Sequence, residues 1–197
     1  MPRYIFLLLF ASLLHTATAQ TTTTVYDERS GISHWIVSDI LQDRNGFIWM
    51  STWNGLNRFD GYEFRQLKSQ PGDGNDIQSE VIRQIDLDDK GDIICLSEGG
   101  RFLLDTRTYR LKPGNDAAVK NRKSRRRPVR FTDREGNRWQ LERYGVTKTS
   151  HTVYPAHRMQ GTEGTHARAF LKDRKRRWWL TTTEDEAVRL YASRNRR

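Results

Sequence analysis

The chain has 197 residues, a net charge of +10 and 36% hydrophobic residues. Its mean hydropathy of −0.82 excludes a protein with several membrane spans. Six Trp, seven Tyr and eight Phe are too many aromatic residues for a wholly disordered chain. The single Cys excludes an intramolecular disulfide and a cysteine-based metal cluster.

The first nineteen residues have the layout of a secretory signal peptide. Arg3 gives a cationic start, residues 4–14 form an apolar run, and Ala17 and Ala19 occupy the small-residue positions that precede cleavage. The run is too short to be a comfortable bilayer anchor. We therefore expect cleavage after Ala19, a periplasmic location and no membrane span in the cleaved chain. Because a secreted chain meets no genome, we expect no nucleic-acid partner despite the basic composition.

The rest of the chain carries a repeat of about 45 residues. Four turn-forming aspartates mark it, at spacings of 45, 45 and 40 residues: Asp43, Asp88, Asp133 and Asp173. Six residues after each aspartate lies a large apolar residue: Trp49, Ile94, Trp139 and Trp179. Twelve residues after the first three lies a glycine: Gly55, Gly100 and Gly145. Shared offsets of this kind indicate one structural unit used four times.

The sequence of each unit predicts four short antiparallel strands. In the first, residues 37–41, 47–52, 56–60 and 62–67 are rich in β-branched and aromatic residues and are separated by Asp, Asn and Gly turns. No segment keeps a period of 3.6 residues, so helices should be scarce. Four strands in 45 residues is the size of a β-propeller blade. The prediction is an all-β partial propeller of about four blades, over roughly 31–70, 77–115, 126–160 and 164–197, with the periodic Trp residues as core between blades.

The segment from Asp43 to Tyr62, DRNGFIWMSTWNGLNRFDGY, resembles the two-component regulator propeller repeat, as does the Gly31-Ile-Ser33 that precedes it. The resemblance is close over 31–67, partial over 80–106, and faint over 128–150 and 166–191. It implies the N-terminal portion of the periplasmic sensor region of a hybrid two-component histidine kinase, one that detects glycan fragments. The kinase, the immunoglobulin-like domain and the membrane helix of such proteins are not in this sequence, so we expect no kinase activity from it.

Some positions depart from the repeat. Ile94 replaces Trp in the second unit, and Arg176 replaces the turn glycine in the fourth, where a positive φ is then more costly. The sequence allows two arrangements of the four blades. One is an open arc with bare strand edges, and the other is a small closed ring in which residues 21–26 add the outer strand to the last blade. The open arc would pair with remaining blades or with a second copy of the chain.

The turns between second and third strands are expected to share one face with the connections between blades. By analogy with other propellers this is the ligand side. An exposed Trp or Tyr there could stack on a sugar ring while neighbouring polar groups bind its hydroxyls. The candidate residues are Trp53, Asn54, Glu98, Arg143 and Tyr144. The expected partner is an oligosaccharide or another small ligand.

No pattern in the sequence points to a cofactor, a metal or a catalytic group. The His residues lack metal-ligand spacing, and the calcium-like stretch 86–91 has Lys90 at a ligand position. Two alternatives to a sensor stay open: a secreted propeller lyase or hydrolase with carboxylates converging on the channel, and a truncated remnant without function. The basic runs 120–128 and 172–177 are interpreted as solvated loops with at most weak affinity for anionic polysaccharide or a membrane surface.

Overall fold

The protein is described by a computed structural model that covers residues 21–68, 79–113, 130–132, 138–142, 145–149, 157–158, 167–182 and 188–193. These ranges contain β-strands and a single 3-10 turn, Glu28–Ser30, and no α-helix. Within the described residues, no helix is long and apolar enough to cross a membrane. The predicted all-β class is confirmed. The proposed signal peptide, residues 1–19, lies outside the described residues.

The strands form four antiparallel sheets of four strands, which we call blades. The first blade holds β2 Val37–Gln42, β3 Ile48–Thr52, β4 Gly55–Phe59 and β5 Phe64–Leu67. The second holds β6 Ile82–Leu87, β7 Ile93–Ser97, β8 Gly100–Leu104 and β9 Leu111–Pro113. The third holds β10 Arg130–Thr132, β11 Arg138–Glu142, β12 Gly145–Thr149 and β13 His157–Arg158.

The fourth blade takes its outer strand from the other end of the described chain. Its own strands are β14 Ala167–Lys172, β15 Trp178–Thr182 and β16 Val188–Ser193, and β1 Thr21–Tyr26 pairs antiparallel with β16. The sheet order is β1-β16-β15-β14. Residues 21–26 thus add the outer strand to the last blade, as one of the two predicted arrangements required. The innermost strands β14, β2 and β6 lie side by side, so the fourth, first and second blades are consecutive.

Two apolar clusters fill the spaces between these blades. The cluster between the fourth and first blades is built on Trp179, Val37 and Phe59, and the cluster between the first and second blades on Trp49, Ile85 and Leu104. Trp49, Trp139 and Trp179 are 1%, 7% and 0% exposed, so the predicted core role of the periodic Trp residues is confirmed. Burying both faces of a sheet requires this radial stacking, since one blade cannot cover itself.

The offset of six residues has a hydrogen-bonding reason that the pattern alone did not show. The Asp43 carboxylate accepts from the backbone N–H of Asn45 at 2.8 Å and of Phe47 at 3.0 Å, which closes the β2–β3 turn. Its second oxygen accepts from the Trp49 indole N–H at 2.8 Å. In the fourth blade Asp173 accepts from the Trp179 indole at 3.1 Å in the same way. The turn aspartate therefore supplies a partner for an indole N–H that is buried and would otherwise be costly.

Arginine side chains join these turns from one blade to the next. The Arg174 guanidinium of the β14–β15 turn donates to the Arg44 carbonyl at 2.7 Å, and Arg44 donates to the Asp89 carbonyl of the β6–β7 turn at 2.6 Å. The residue after the turn aspartate thus contacts its counterpart in the neighbouring blade. We call the face that carries these three turns the lower face, and the opposite one the upper face.

Candidate functional site

Four backbone segments meet on the upper face of the first and second blades. They are the β3–β4 turn at residues 53–54, the β7–β8 turn at residues 98–99, and the connections that precede β2 and β6. The Trp53 N–H donates to the Ile36 carbonyl at 3.3 Å, and the Glu98 N–H donates to the Val81 carbonyl at 3.0 Å. Each turn is therefore fastened to the connection beside it, as the alternation of strand direction predicts.

A buried asparagine fixes the connection before β2. The Asn57 side chain accepts from the Ser33 N–H at 2.9 Å and donates to the Ser33 hydroxyl at 2.7 Å, and that hydroxyl lies 2.9 Å from the Thr52 hydroxyl. Asn57 itself is fully buried. The second repeat has Phe102 at the position of Asn57, so this anchor belongs to the first blade. It sets the position of the two residues that follow Ser33.

Those two residues begin a row of stacked rings. The His34 ring lies 5.4 Å from the Trp35 ring and 6.3 Å from the Trp53 ring, with interplanar angles of 20° and 27°. His34 Nδ1 accepts the Ile36 N–H at 2.9 Å, so the proton of the neutral ring is on Nε2, which is a donor. Trp53 is 37% exposed and is one of three large apolar side chains exposed in the described ranges.

A β-bulge brings an arginine onto the same row. The pairing of β6 with β7 shifts register between Ile82 and Gln84, so Arg83 is the extra residue. Bulges re-aim a side chain at a strand end. The Arg83 guanidinium lies 4.9 Å from the centre of the Trp53 ring and forms an ion pair with Glu98. The row from Trp35 through His34, Trp53 and Arg83 to Glu98 is called the upper-face row below.

The same bulge recurs at the upper end of the innermost strand in other blades. The register shifts in β2 and β14 leave Ser38 and Arg168 as the extra residues. All three positions lie five residues before the turn aspartate of their blade. The bulge is therefore a property of the repeat, and the residue type it presents differs from blade to blade.

The β3–β4 turn beneath Trp53 tolerates only glycine at residue 55. Gly55 has φ +92°, and a Cβ there would stand 2.7 Å from the Leu67 carbonyl oxygen and 3.1 Å from a Glu80 carboxylate oxygen. Backbone atoms cannot move aside as a flexible side chain can. A side chain at residue 55 would therefore displace the turn that carries Trp53.

The five predicted site residues do not all lie at one site. Trp53 and Glu98 are brought together on the upper face through Arg83. Asn54 is turned toward the protein, because its side chain donates to the Ser33 carbonyl at 3.1 Å. Arg143 and Tyr144 lie outside the described residues. Sequence reasoning missed His34 and Arg83, and the constant offset of five residues from the turn aspartate is the signal that marks Arg83.

The described ranges contain no group of three or more His, Cys, Asp or Glu side chains placed to hold a metal ion. The upper-face row offers flat aromatic surface, an imidazole donor, a guanidinium and a carboxylate. Such a set can stack on a polar ring compound and form hydrogen bonds with it.

A family model described as the two component regulator propeller matches residues 30–54, which run from the connection before β2 through β3 to the turn that carries Trp53. Residues 30–54 are thus similar to a two component regulator propeller repeat. The resemblance expected from the sequence is thereby confirmed, and the matched residues include three members of the upper-face row.

Similar proteins were found by sequence and by structure. A curated relative, histidine kinase P4 of Formosa agariphila, is 36% identical over 73 residues; these cover 36% of this chain and 5% of that protein. The extracellular domain of a proposed one component system from B. thetaiotaomicron has a TM-score of 0.37 at 14% identity, over 84% of this chain and 21% of that one. Virginiamycin B lyase from Staphylococcus aureus has a TM-score of 0.34 at 10% identity, over 87% and 56%. The chain thus spans 5% of the length of the curated relative and 21% and 56% of the lengths of the two structures.

Proposed function

We propose that this chain is a ligand-binding segment of a periplasmic sensor of the hybrid two-component type, and that the upper-face row binds an oligosaccharide. The family match over residues 30–54 and the similarity to a histidine kinase support the sensor assignment. The row itself carries the ligand assignment, because the exposed Trp53 offers a flat apolar surface for the C–H face of a sugar ring, and the arginine–glutamate pair beside it can hydrogen-bond to the ring's hydroxyls. In this proposal the segment binds and does not catalyse.

The ion pair between Arg83 and Glu98 gives the row a defined role for each group. Both side chains are about half exposed, at 44% and 50%, so a ligand can reach their hydrogen-bonding edges. Glu98 accepts from sugar hydroxyls, and Arg83 donates to ring or carboxylate oxygens. Trp53 supplies the apolar surface for the sugar's C–H face. Occupation of the row would favour one arrangement of the receptor over another, which is how a binding segment passes on a signal.

Calorimetric titration of the chain with a panel of oligosaccharides tests this proposal. We expect at least one oligosaccharide to bind. Trp53→Ala should weaken that binding about tenfold or more, since it removes the stacking surface, and tenfold corresponds to ~1.4 kcal/mol. Glu98→Gln should weaken it less, because the amide keeps one acceptor and loses the charge.

Tyr62→Ala is the matched control, because Tyr62 is an aromatic residue 95% exposed in the β4–β5 turn of the lower face. It should bind as the unaltered chain does. Equal losses in the Trp53 and Tyr62 variants would contradict the assignment to the upper-face row. A folded chain that binds none of the oligosaccharides would overturn the ligand class.

A further inference from the structure

The lower face of the fourth blade carries a compact group of cations. Arg174, Lys175 and Arg176 are exposed at the β14–β15 turn. Two further cations lie beside them: Lys172 is 5.5 Å from the centre of the Trp178 ring, and Arg177 donates to Asp173 at 2.8 Å. The three exposed residues are called the lower-face cations below.

One of these cations occupies a backbone conformation that favours glycine. Arg176 has φ +65°, whereas the equivalent positions in the first and second blades are Gly46 and Gly91, at φ +95° and +94°. A side chain in this region is strained by its own Cβ. The sequence therefore keeps a cation at a turn position where glycine would be more stable, and strain retained in this way points to a function.

The neighbouring blade extends the charge. Arg174 donates to the Arg44 carbonyl, and Arg44, which is exposed, donates to the Asp89 carbonyl. These acceptors are carbonyl oxygens, so the contacts fix the guanidinium groups without cancelling their charge. The turn carboxylates Asp43 and Asp173 are both buried.

Acidic residues lie beside the positive surface on the first and second blades. Asp60 and Glu63 lie on the lower face at the β4–β5 turn of the first blade, and Asp89 lies at the turn of the second. The positive surface is thus centred on the fourth blade and on Arg44 beside it. The cations are exposed at a turn, whereas sites for small soluble anions are concave. An exposed cation cluster fits a flat, repeatedly charged surface.

We propose that the lower-face cations, with Arg44, bind the phosphate groups of an anionic phospholipid surface and orient the blades on the membrane. Each basic residue near such a surface contributes about 1 kcal/mol at physiological salt, which is about fivefold in the partition coefficient. This inference does not depend on ligand binding at the upper face, so the two can fail separately.

Sedimentation with vesicles tests it, using phosphatidylglycerol mixed with phosphatidylcholine against phosphatidylcholine alone. The chain should bind the anionic vesicles, and binding should fall as salt rises because exposed charges are screened. The variant Arg174→Gln, Lys175→Gln, Arg176→Gln should bind about a hundredfold less. A control with the same loss of charge, Arg29→Gln, Lys68→Gln, Arg101→Gln, changes exposed cations elsewhere and should bind within a few fold of the unaltered chain.

Arg176→Gly separates binding from folding. It relieves the strain at φ +65°, so its unfolding temperature should rise while its vesicle partition falls about fivefold. Equal vesicle binding by the two triple variants would overturn the proposal, because the effect would then be one of net charge alone. Unchanged vesicle binding in Arg176→Gly, or binding to a sulfated polysaccharide with none to anionic vesicles, would overturn it as well.

Discussion

The turn aspartates combine two tasks at the scale of one residue. Asp43 closes the β2–β3 turn through two backbone N–H groups and holds the buried Trp49 indole. In the second repeat only the turn-closing role is kept. Asp88 accepts from the N–H groups of Lys90 and Asp92 at 2.8 Å, although Ile94 stands in place of the Trp. The aspartate is therefore needed for the turn even where no indole has to be satisfied.

Asp43→Ala should be strongly destabilising. It leaves three donors without their acceptor, one of them on the buried Trp49, and we expect a loss of about 2–4 kcal/mol in the free energy of unfolding. Urea denaturation followed by Trp fluorescence measures it. The control is Asp60→Ala, at a turn where the carboxylate accepts from Tyr62 and Glu63 near solvent; its loss should stay at about 1 kcal/mol or less. Equal losses would contradict the role given to burial.

The ionisation of Asp105 at the β8–β9 turn makes the stability of the fold depend on pH in the acid range. The N–H groups of Thr108 and Arg107 donate to its carboxylate, Lys112 lies 3.4 Å away, and together they lower its pKa to about 2. A carboxyl group whose pKa is lowered by folding stabilises the fold above its unfolded pKa of about 4. We expect that contribution to be lost as pH falls from about 4 to 2. Denaturation curves over this range should be less pH-dependent in Asp105→Asn, and an unaltered slope would contradict the assignment.

At the scale of the strands, periodicity predicted the fold because every repeat solves the same burial problem. The turn aspartate, the Trp six residues on and Gly55 recur at fixed spacings in the sequence, and the structure gives the local physical cause of each. The upper-face row could be predicted in part only. Trp53 and Glu98 follow from turn position. Arg83 depends on a bulge, and the offset of five residues that marks the bulge is recognised only once the strand pairing is known. His34 depends on the buried Asn57, which the second repeat replaces with Phe102.

Strand β1 ties the fourth blade to the first through Tyr26. Its ring lies 5.2 Å from Phe59, 5.6 Å from Phe64 and 5.9 Å from Trp179, and partial burial raises the pKa of its hydroxyl. Tyr26→Ala should lower the free energy of unfolding by about 2–4 kcal/mol, because it opens a gap among three aromatic rings. Thermal denaturation measures it, with the exposed Tyr62→Ala expected to lie within about 0.5 kcal/mol of the unaltered chain. Similar effects would mean that β1 does not hold the blades together.

Strand β7 offers a probe of opening between the first and second blades. Cys95 is fully buried, and burial raises the pKa of its thiol. The folded chain should react with a thiol reagent far more slowly than the urea-unfolded chain, since the thiolate is the reacting form. Trp49→Ala, which removes a side chain from the same cluster, should speed the reaction. Rapid labelling of the unaltered folded chain would contradict the described packing.

For the whole molecule, β1 covers the edge of β16, which would otherwise present unpaired backbone groups. A chain that begins at residue 27 should therefore associate into dimers or larger species, because bare strand edges pair with other chains. Light scattering after size-exclusion chromatography would show it. A monomeric truncated chain of unchanged stability would argue that the edge is protected in another way.

The pairing of β1 with β16 also has a consequence for how the protein is made. Thr21 pairs with Ser193, so the two partners are separated by about 170 residues of chain. At ribosomal speeds of about 5–20 residues per second, the first strand waits roughly ten to thirty seconds for its neighbour. The first four residues of β1 are threonines, so this strand exposes little apolar surface while it is unpaired. The pairing can therefore form only after every strand between the two partners has been made, so it belongs to the late steps of folding.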